Sequence, residues 1–274
     1  MRPLERFAIY LRRSAPLRRA DTLWNWARPF YTKALTKVAS GGLERNINGT
    51  DLILLAPELY TFSEIYEPEV WSHIMTSIRP GDIVADVGAY LGLYAIAMSK
   101  RAGLQGTVYA FEPDLQSVTW LRRNIRLNRL DDSIKVFPTV VADEIGIVEF
   151  VGGRGSESHV LGASSKEGKH PVDAVTLDMI FANSRLDILK IDVEGYEEAV
   201  LRGGRNLLTD TDRAPRVIYI EVHPFAWSAF HFSSESLLEL LASFGYTVHD
   251  LQGNSVAEIK DYGEIIAYKN TEID

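Results

Sequence analysis

Hydrophobic and polar positions alternate along the chain in two textures. Through residues 4–39, apolar side chains recur loosely at helical spacing (Phe7, Leu11, Leu23, Trp26, Phe30, Leu35), and Pro16 and Pro29 divide the stretch into pieces. Gly41-Gly42 closes it. Two strand-like runs, 43–47 and 50–56, then flank Asn48-Gly49, a pair suited to a type I′ turn, so a β-hairpin is expected. From residue 68 short apolar runs alternate with amphipathic ones. The pattern predicts helices over 69–78, 93–101, 115–127, 196–208 and 234–244, the last opened by Ser233 or Ser234 as a cap. Between them it predicts strands over 83–86, 107–111, 134–137, 186–191 and 216–222. Strand–helix alternation of this kind packs as parallel βαβ units in a doubly wound α/β sheet. The last strands, 247–251 and 265–268, are joined by 252–264, which has no helical pattern. A parallel return needs roughly a dozen residues or more, usually with a helix, so these two are expected to run antiparallel at the sheet edge. Residues 152–171 hold five glycines and read as a long lid-like loop, and 223–232 as an aromatic one. Two units are expected: an N-terminal helical arm with the hairpin, 1–65, and a domain over 66–274.

Composition narrows the class. Of the 274 residues, 46% are hydrophobic, enough for a real core, and there is no Cys, which excludes a disulfide scaffold, a thiolate metal site and a cysteine nucleophile. No run approaches the roughly 18 apolar residues of a membrane span, and the start lacks the apolar core of a signal peptide, so a cytoplasmic protein is expected. The net charge of −8 is unevenly spread: residues 1–40 hold nine basic side chains against two acids, on an otherwise acidic chain. Such an arm either packs as an amphipathic helix on its own acidic body or meets an anionic partner such as a membrane surface. Nucleic acid is not expected, because the rest of the chain repels phosphates.

Four segments carry candidate chemistry. Asp86-Val-Gly-Ala-Tyr-Leu-Gly92 lies between a strand and a helix, where an open α/β sheet binds its ligand. Tyr90 stands where a dinucleotide Gly-x-Gly-x-x-Gly turn has its middle glycine, which disfavours a nicotinamide oxidoreductase, and no Lys-Ser/Thr follows to make a P-loop. Glu112 ends the strand 107–111, placed to accept hydrogen bonds from both hydroxyls of a ribose. In Lys190-Ile-Asp-Val-Glu-Gly-Tyr-Glu197, Asp192 follows an apolar strand and should face the cleft, while Glu194 and Glu197 open a helix. In Ile220-Glu-Val-His223, Glu221 and His223 are two apart on a strand and should share a face. Asp192, Glu221 and His223 then converge as a general base with its orienting partner, or as an oxygen and nitrogen metal site.

In this order the segments resemble the FkbM family of S-adenosylmethionine-dependent methyltransferases. Pro80-Gly81 through Gly92, Ala110-Phe-Glu-Pro113, Asn124 with Asn128, Val141-Ala-Asp143, Thr176-Leu-Asp178, Lys190 through Glu197 and Ile220 through His223 carry the likeness, over about residues 66–268. Tyr90 departs from it, since the family usually has Asn there. The resemblance implies a seven-stranded, Rossmann-like methyltransferase sheet with an antiparallel last strand. It implies that Asp86, Gly88 and Gly92, with Ala89 and Tyr90 between them, hold the methionine end of the cofactor, that Glu112 holds the ribose, and that Asp143 lies near the adenine. Asp192, Glu194, Glu221 and His223 would line the acceptor side, with Trp227 of the aromatic segment as a further substrate contact. The reaction implied is O-methyl transfer to a hydroxyl of a sugar, glycan, glycolipid or secondary metabolite, leaving S-adenosylhomocysteine, with His223 as general base held by Glu221 or Asp192 and no resident metal. Two alternatives stand beside it: Mg²⁺-assisted transfer, and a non-catalytic cofactor-binding scaffold whose arm docks an anionic partner or membrane.

Overall fold

The computed structural model describes residues 41–152, 159–160 and 169–270. The helical arm expected before residue 41 and most of the loop expected at 152–171 lie outside these residues. The hairpin is present: β1 (Leu43–Ile47) pairs antiparallel with β2 (Asp51–Leu55). Asn48 and Gly49 both take positive φ, which Asn and Gly tolerate best, and the Thr50 amide donates to the Ile47 carbonyl.

After helix α1 (Pro68–Ser77) the chain enters the sheet through β3 (Ile83–Val87), α2 (Leu93–Ala102), β4 (Thr107–Phe111), α3 (Leu115–Leu127) and β5 (Ile134–Phe137). The short strand β6 (Val140–Val141) leads to β7 (Gly146–Val151), β8 (His159–Val160) and β9 (Lys169–Val175). The chain then returns through α4 (Leu177–Ile180), β10 (Ile188–Ile191), α5 (Glu197–Arg202), α6 (Arg205–Thr209), β11 (Val217–Val222), α7 (Pro224–Trp227), α8 (Ser234–Ser243), β12 (Tyr246–His249) and β13 (Gly263–Lys269). The main sheet has seven strands in the order β12-β13-β11-β10-β3-β4-β5. The pairings follow expectation: β3, β4, β5, β10 and β11 are parallel, and β13 is antiparallel to both β11 and β12. The order reverses between β3 and β10, the switch point at which ligands bind in open α/β sheets.

Each face of this sheet buries its own apolar layer. One contains Val84, Ile96, Leu121 and Ile266 under α1, α2 and α3. Ile47, Ile53 and Leu55 of the hairpin belong to the same layer. Two asparagines of α3 stitch the hairpin down: Asn128 exchanges hydrogen bonds with both the amide and the carbonyl of Leu54, and Asn124 accepts from the Ala56 amide at 2.8 Å while donating to the Leu91 carbonyl. Ile47, Ile53 and Leu55 therefore share a core with the sheet. The other layer, on the far face, contains Leu189, Ile191, Leu201, Leu208 and Leu241, packed under α4, α5, α6 and α8.

Two elements differ from the sequence expectation. The helix over 196–208 is broken into α5 and α6 at Gly203-Gly204, where a Cβ on Gly203 would lie 1.9 Å from the Ala142 carbonyl oxygen, so only glycine fits. Strand β9 starts inside the segment read as loop and joins a second sheet of order β6-β9-β7-β8. Its Pro171 is tolerated because β6 pairs only with Ala174 and Val175, which leaves one side of β9 free of a ladder at the proline. This sheet is short and weakly alternating, with Ile145 and Ile147 exposed, and gives little period-2 signal.

Candidate active site

A cavity of about 380 Å³ opens at the switch point, lined by the turn after β3, the ends of β4 and β10, and the residues that follow β5. Its first wall is the Asp86–Gly92 turn. Gly88 has φ +88°, and a Cβ there would sit 1.8 Å from the Asp192 carbonyl oxygen, so only glycine lets β3 and β10 close at their carboxyl ends. Tyr90 also has positive φ, and its amide donates to Glu112 Oε2 at 2.8 Å. Asp86 is fully buried on the cavity wall, and neither carboxylate oxygen has a hydrogen-bond partner among the described residues. Burial pushes its carboxyl up to about 6. Glu112, also buried, accepts from the Tyr90 and Asp114 amides, one at each oxygen, so each oxygen keeps acceptor capacity toward the cavity. Burial nevertheless raises it to about 7, against the lowering effect of those two bonds. Farther along, Thr139 presents a buried hydroxyl with no partner among the described residues, beside Val140 and Val141.

The opposite end is crowded with charge. Lys190 is register partner to Asp86 across the switch point and is almost wholly buried. Its ammonium donates to Asp192 Oδ2 at 3.0 Å and lies 4.8 Å from the centre of the Tyr94 ring. Burial opposes its charge, but the Asp192, Asp86 and Glu264 carboxylates outweigh that and hold it well above the ordinary lysine range. Tyr94 in turn donates to Glu67 at 2.8 Å. Glu221, on the same wall, accepts from the Tyr262 hydroxyl, and burial with the nearby Asp192 charge raises it to about 7.

β11 ends at Val222, and His223 caps α7 with φ −120° and ψ 69°. Its ring centre lies 5.3 Å from that of Tyr262, the residue that donates to Glu221, but its nitrogens meet other carboxylates. Its Nδ1 meets Glu197 Oε1 at 2.7 Å, and its Nε2 lies 3.5 Å from Glu194 Oε2. Glu197, fully buried, also accepts from the Gly195 amide and from Trp227 Nε1 at 2.8 Å. The orienting carboxylate is thus Glu197, not Glu221 or Asp192. Burial works against protonation of the imidazole, but the Glu197 bond and the Glu197, Glu194 and Asp192 charges prevail and raise its pKa. Trp227 is buried and spends its N–H on Glu197; it is a support for His223 and not a wall of the cavity. Asp143 is exposed and off the cavity wall, where Thr139, Val140 and Val141 stand instead. Asp86, Gly88, Ala89, Tyr90, Glu112, Asp192, Glu194 and Glu221 do line the cavity; Gly92 sits at the start of α2, with Leu121 Cδ1 2.3 Å from the place of its missing Cβ. Sequence reasoning missed Lys190 and Glu197. The lone charge inside Ile188-Leu-Lys-Ile191 was the visible signal for the first; the second read as an ordinary acid at a helix start.

A model of the methyltransferase FkbM domain matches residues 86–248, more than half of the chain. The chain belongs to the FkbM methyltransferase family. Among its relatives, hexuronic acid methyltransferase AglP of Haloferax volcanii is 25% identical over 165 residues, which are 57% of this chain and 62% of that protein. The AMB antimetabolite synthetase AmbE of Pseudomonas aeruginosa is 27% identical over 233 residues, 69% of this chain but only 10% of that protein. The chain therefore spans less than two thirds of either relative. Among solved structures, the methyltransferase FkbM of Methylobacillus flagellatus superposes with a TM-score of 0.46 at 16% identity, covering 78% of this chain and 53% of that one. The cofactor that goes with this family is S-adenosylmethionine. The cavity fits that cofactor on its own terms: the glycine turn leaves a cradle that a Cβ at Gly88 would fill, buried Asp86 has free oxygens suited to an ammonium, and Glu112 offers two oxygens to a diol. Among the described residues no helix is long and apolar enough to cross a membrane.

Proposed function

We propose that the enzyme is an O-methyltransferase acting on a hydroxyl, foremost a sugar hydroxyl. The observation that carries this reading is the buried Glu197–His223 pair, which is not itself on the cavity wall but has its Nε2 3.5 Å from Glu194, a wall residue. A hydroxyl must lose its proton as it is methylated, and an oriented imidazole is the side chain for that task. AglP, named for a hexuronic acid substrate, supports the sugar class.

When bound, S-adenosylmethionine supplies an electrophilic methyl group on a sulfonium. Asp86 would hold its ammonium and Glu112 its ribose, which leaves Asp192, Glu194 and Glu221 around the acceptor. Positioning is the protein's main contribution, able to supply about 7–11 kcal/mol of the barrier. Glu197 accepts the Nδ1 proton of His223, so the Nε2 lone pair is the one available to the acceptor hydroxyl, directly or through Glu194. Proton removal adds about 10²–10⁴-fold. The test is His223→Gln: turnover should fall by about that factor while calorimetric affinity for S-adenosylhomocysteine stays. Near-normal turnover would refute the role.

One observation favours a second reading. Ligand atoms of Asp192, Glu194 and His223 lie within 4.8 Å of one another, a donor set that suits a divalent cation, with Glu197 as the outer partner of the histidine. In that case turnover is lost in chelator and restored by Mg²⁺ or Mn²⁺; chelator insensitivity leaves the general-base reading alone. The basic residues within 1–40 favour an acceptor presented at an anionic surface. Equal co-sedimentation with neutral and anionic vesicles would remove that part.

A further inference from the structure

The mouth of the acceptor end carries two aromatic rings that proton transfer does not use. Phe225, on α7, is 72% exposed, and Tyr262, which immediately precedes β13, is 61% exposed. They come from different elements yet flank one imidazole: the Phe225 ring centre lies 5.8 Å from that of His223 at 87°, and the Tyr262 centre 5.3 Å away at 55°. Tyr262 also forms part of the cavity wall, and Phe225 stands outside that wall, joined to it through the same imidazole. Large rings left in water forgo most of the area they could bury. Here the exposed area surrounds the candidate base, and neither ring belongs to an apolar layer of the core.

The charges beside these rings constrain what can lie on them. Glu67, Asp192, Glu194 and Glu221 line the same end of the cavity. The basic side chain among its lining residues, Lys190, is already paired with Asp192 at 3.0 Å. An acceptor carrying a carboxylate would enter a site of like charge, with no free cation among the described residues of its wall to receive it. A pyranose offers a face of C–H groups to an aromatic ring and a rim of hydroxyls to a base and to carboxylate acceptors.

We propose that Phe225 and Tyr262 are the stacking platform for an uncharged sugar ring of the acceptor, and that the carboxylates behind them exclude acidic sugars. This inference rests on the O-methyl reading and departs from the hexuronic acid named for AglP.

The experiment is saturation-transfer NMR on the full chain saturated with S-adenosylhomocysteine. The probes are methyl β-D-glucopyranoside, -galactopyranoside and -mannopyranoside, beside methyl β-D-glucuronide. At least one neutral pyranoside should bind, with ring C–H protons receiving the strongest transfer, and the glucuronide should bind at least about tenfold more weakly, the order expected of a single unfavourable charge contact. Phe225→Ala should weaken the neutral probe by about tenfold, as the loss of one aromatic contact would, leave S-adenosylhomocysteine affinity unchanged, and be rescued by Phe225→Tyr. Because Phe225 is exposed, the variant keeps its fold, which thermal melting verifies. Binding of the glucuronide as tight as the neutral sugars, indifference to Phe225→Ala, or no transfer to any pyranoside overturns the proposal. The O-methyl reading fails separately: if pyranosides bind as expected but no labelled methyl passes from S-adenosylmethionine to any of their hydroxyls, that reading falls and the platform stands.

Discussion

If Glu112 holds the ribose as proposed, cofactor affinity should depend on pH, and the surroundings of this carboxyl set the magnitude. The carboxyl is buried and raised to about 7, against an ordinary value of 4.5. That difference means the ionised form carries a penalty of about 3 kcal/mol in the free enzyme. The sign follows from linkage. The native state binds a proton that the unfolded chain has lost, so this group costs stability as pH rises from about 4.5 to about 7, and the full cost stands above that. A diol that donates to both oxygens favours the ionised form, so binding pulls the group down and releases a proton. A group titrating near 7 is about nine-tenths protonated at pH 6 and about one-tenth at pH 8, so affinity should weaken by about tenfold between pH 8 and pH 6. Calorimetry with S-adenosylhomocysteine measures this, and at pH 7 the heat should differ between buffers of different ionisation enthalpy, reporting release of about half a proton. Glu112→Gln should bind more weakly and lose the slope. It is preferable to Glu112→Ala, which strands the Tyr90 and Asp114 amides. Flat wild-type affinity from pH 6 to 8, or an unchanged slope in Glu112→Gln, would refute the reasoning.

Three further outcomes follow from the same site. Gly88→Ala puts a Cβ 1.8 Å from the Asp192 carbonyl oxygen at φ +88°, so the turn must open; cofactor binding should be lost and the melting temperature fall, and a variant that binds normally would contradict the close approach. Lys190→Met leaves Asp86 and Asp192 without their cation and should cost about 3–5 kcal/mol at pH 8. Because Lys190 holds Asp86 down, the variant's Asp86 takes up its proton at higher pH than the wild type's, so the loss should shrink as pH drops from 8 toward about 6, and urea unfolding that shows equal losses at pH 5.5 and 8 would rule this out. Glu197→Gln removes the main support for the raised His223, so the ascending limb of the pH–rate profile should move to lower pH with a lower plateau; an unmoved limb would detach Glu197 from the histidine.

How far the fold could be read from the sequence depended on how strongly each segment was patterned. Strands 107–111 and 134–137 and the helix over 115–127 fall where the apolar runs and spacing put them. The second sheet was invisible: β9 contains a proline, β7 exposes Ile147, and β6 and β8 have two residues each. At the site, glycines and strand-end acids announced Asp86, Gly88, Glu112 and Asp192, since backbone sterics and a charge after an apolar run are local signals. What was not legible depended on distance in the chain. Glu197 and His223 lie 26 residues apart and meet only because α5 packs beside the end of β11. Strand alternation relates His223 to Glu221, but carries no information that the carboxylate bonded to the imidazole is Glu197.

These arrangements share one energetic logic. The cavity holds Asp86 with no hydrogen-bond partner among the described residues, Glu112 and Glu221 raised to about 7, and one buried ammonium pulled toward Asp192. Each carboxyl is less stable ionised here than in water, and apolar side chains of equal size would make a more stable protein. A cofactor with an ammonium, a sulfonium and a diol reverses the balance, because it supplies the positive charge and the hydrogen-bond donors these groups lack. On the proposed site roles, binding relieves the strain of the free site, and the ligand favoured is one that carries cations inward. By the same proposal, the excess of carboxylates at the acceptor end would make charge, before shape, the first criterion by which an acceptor is admitted.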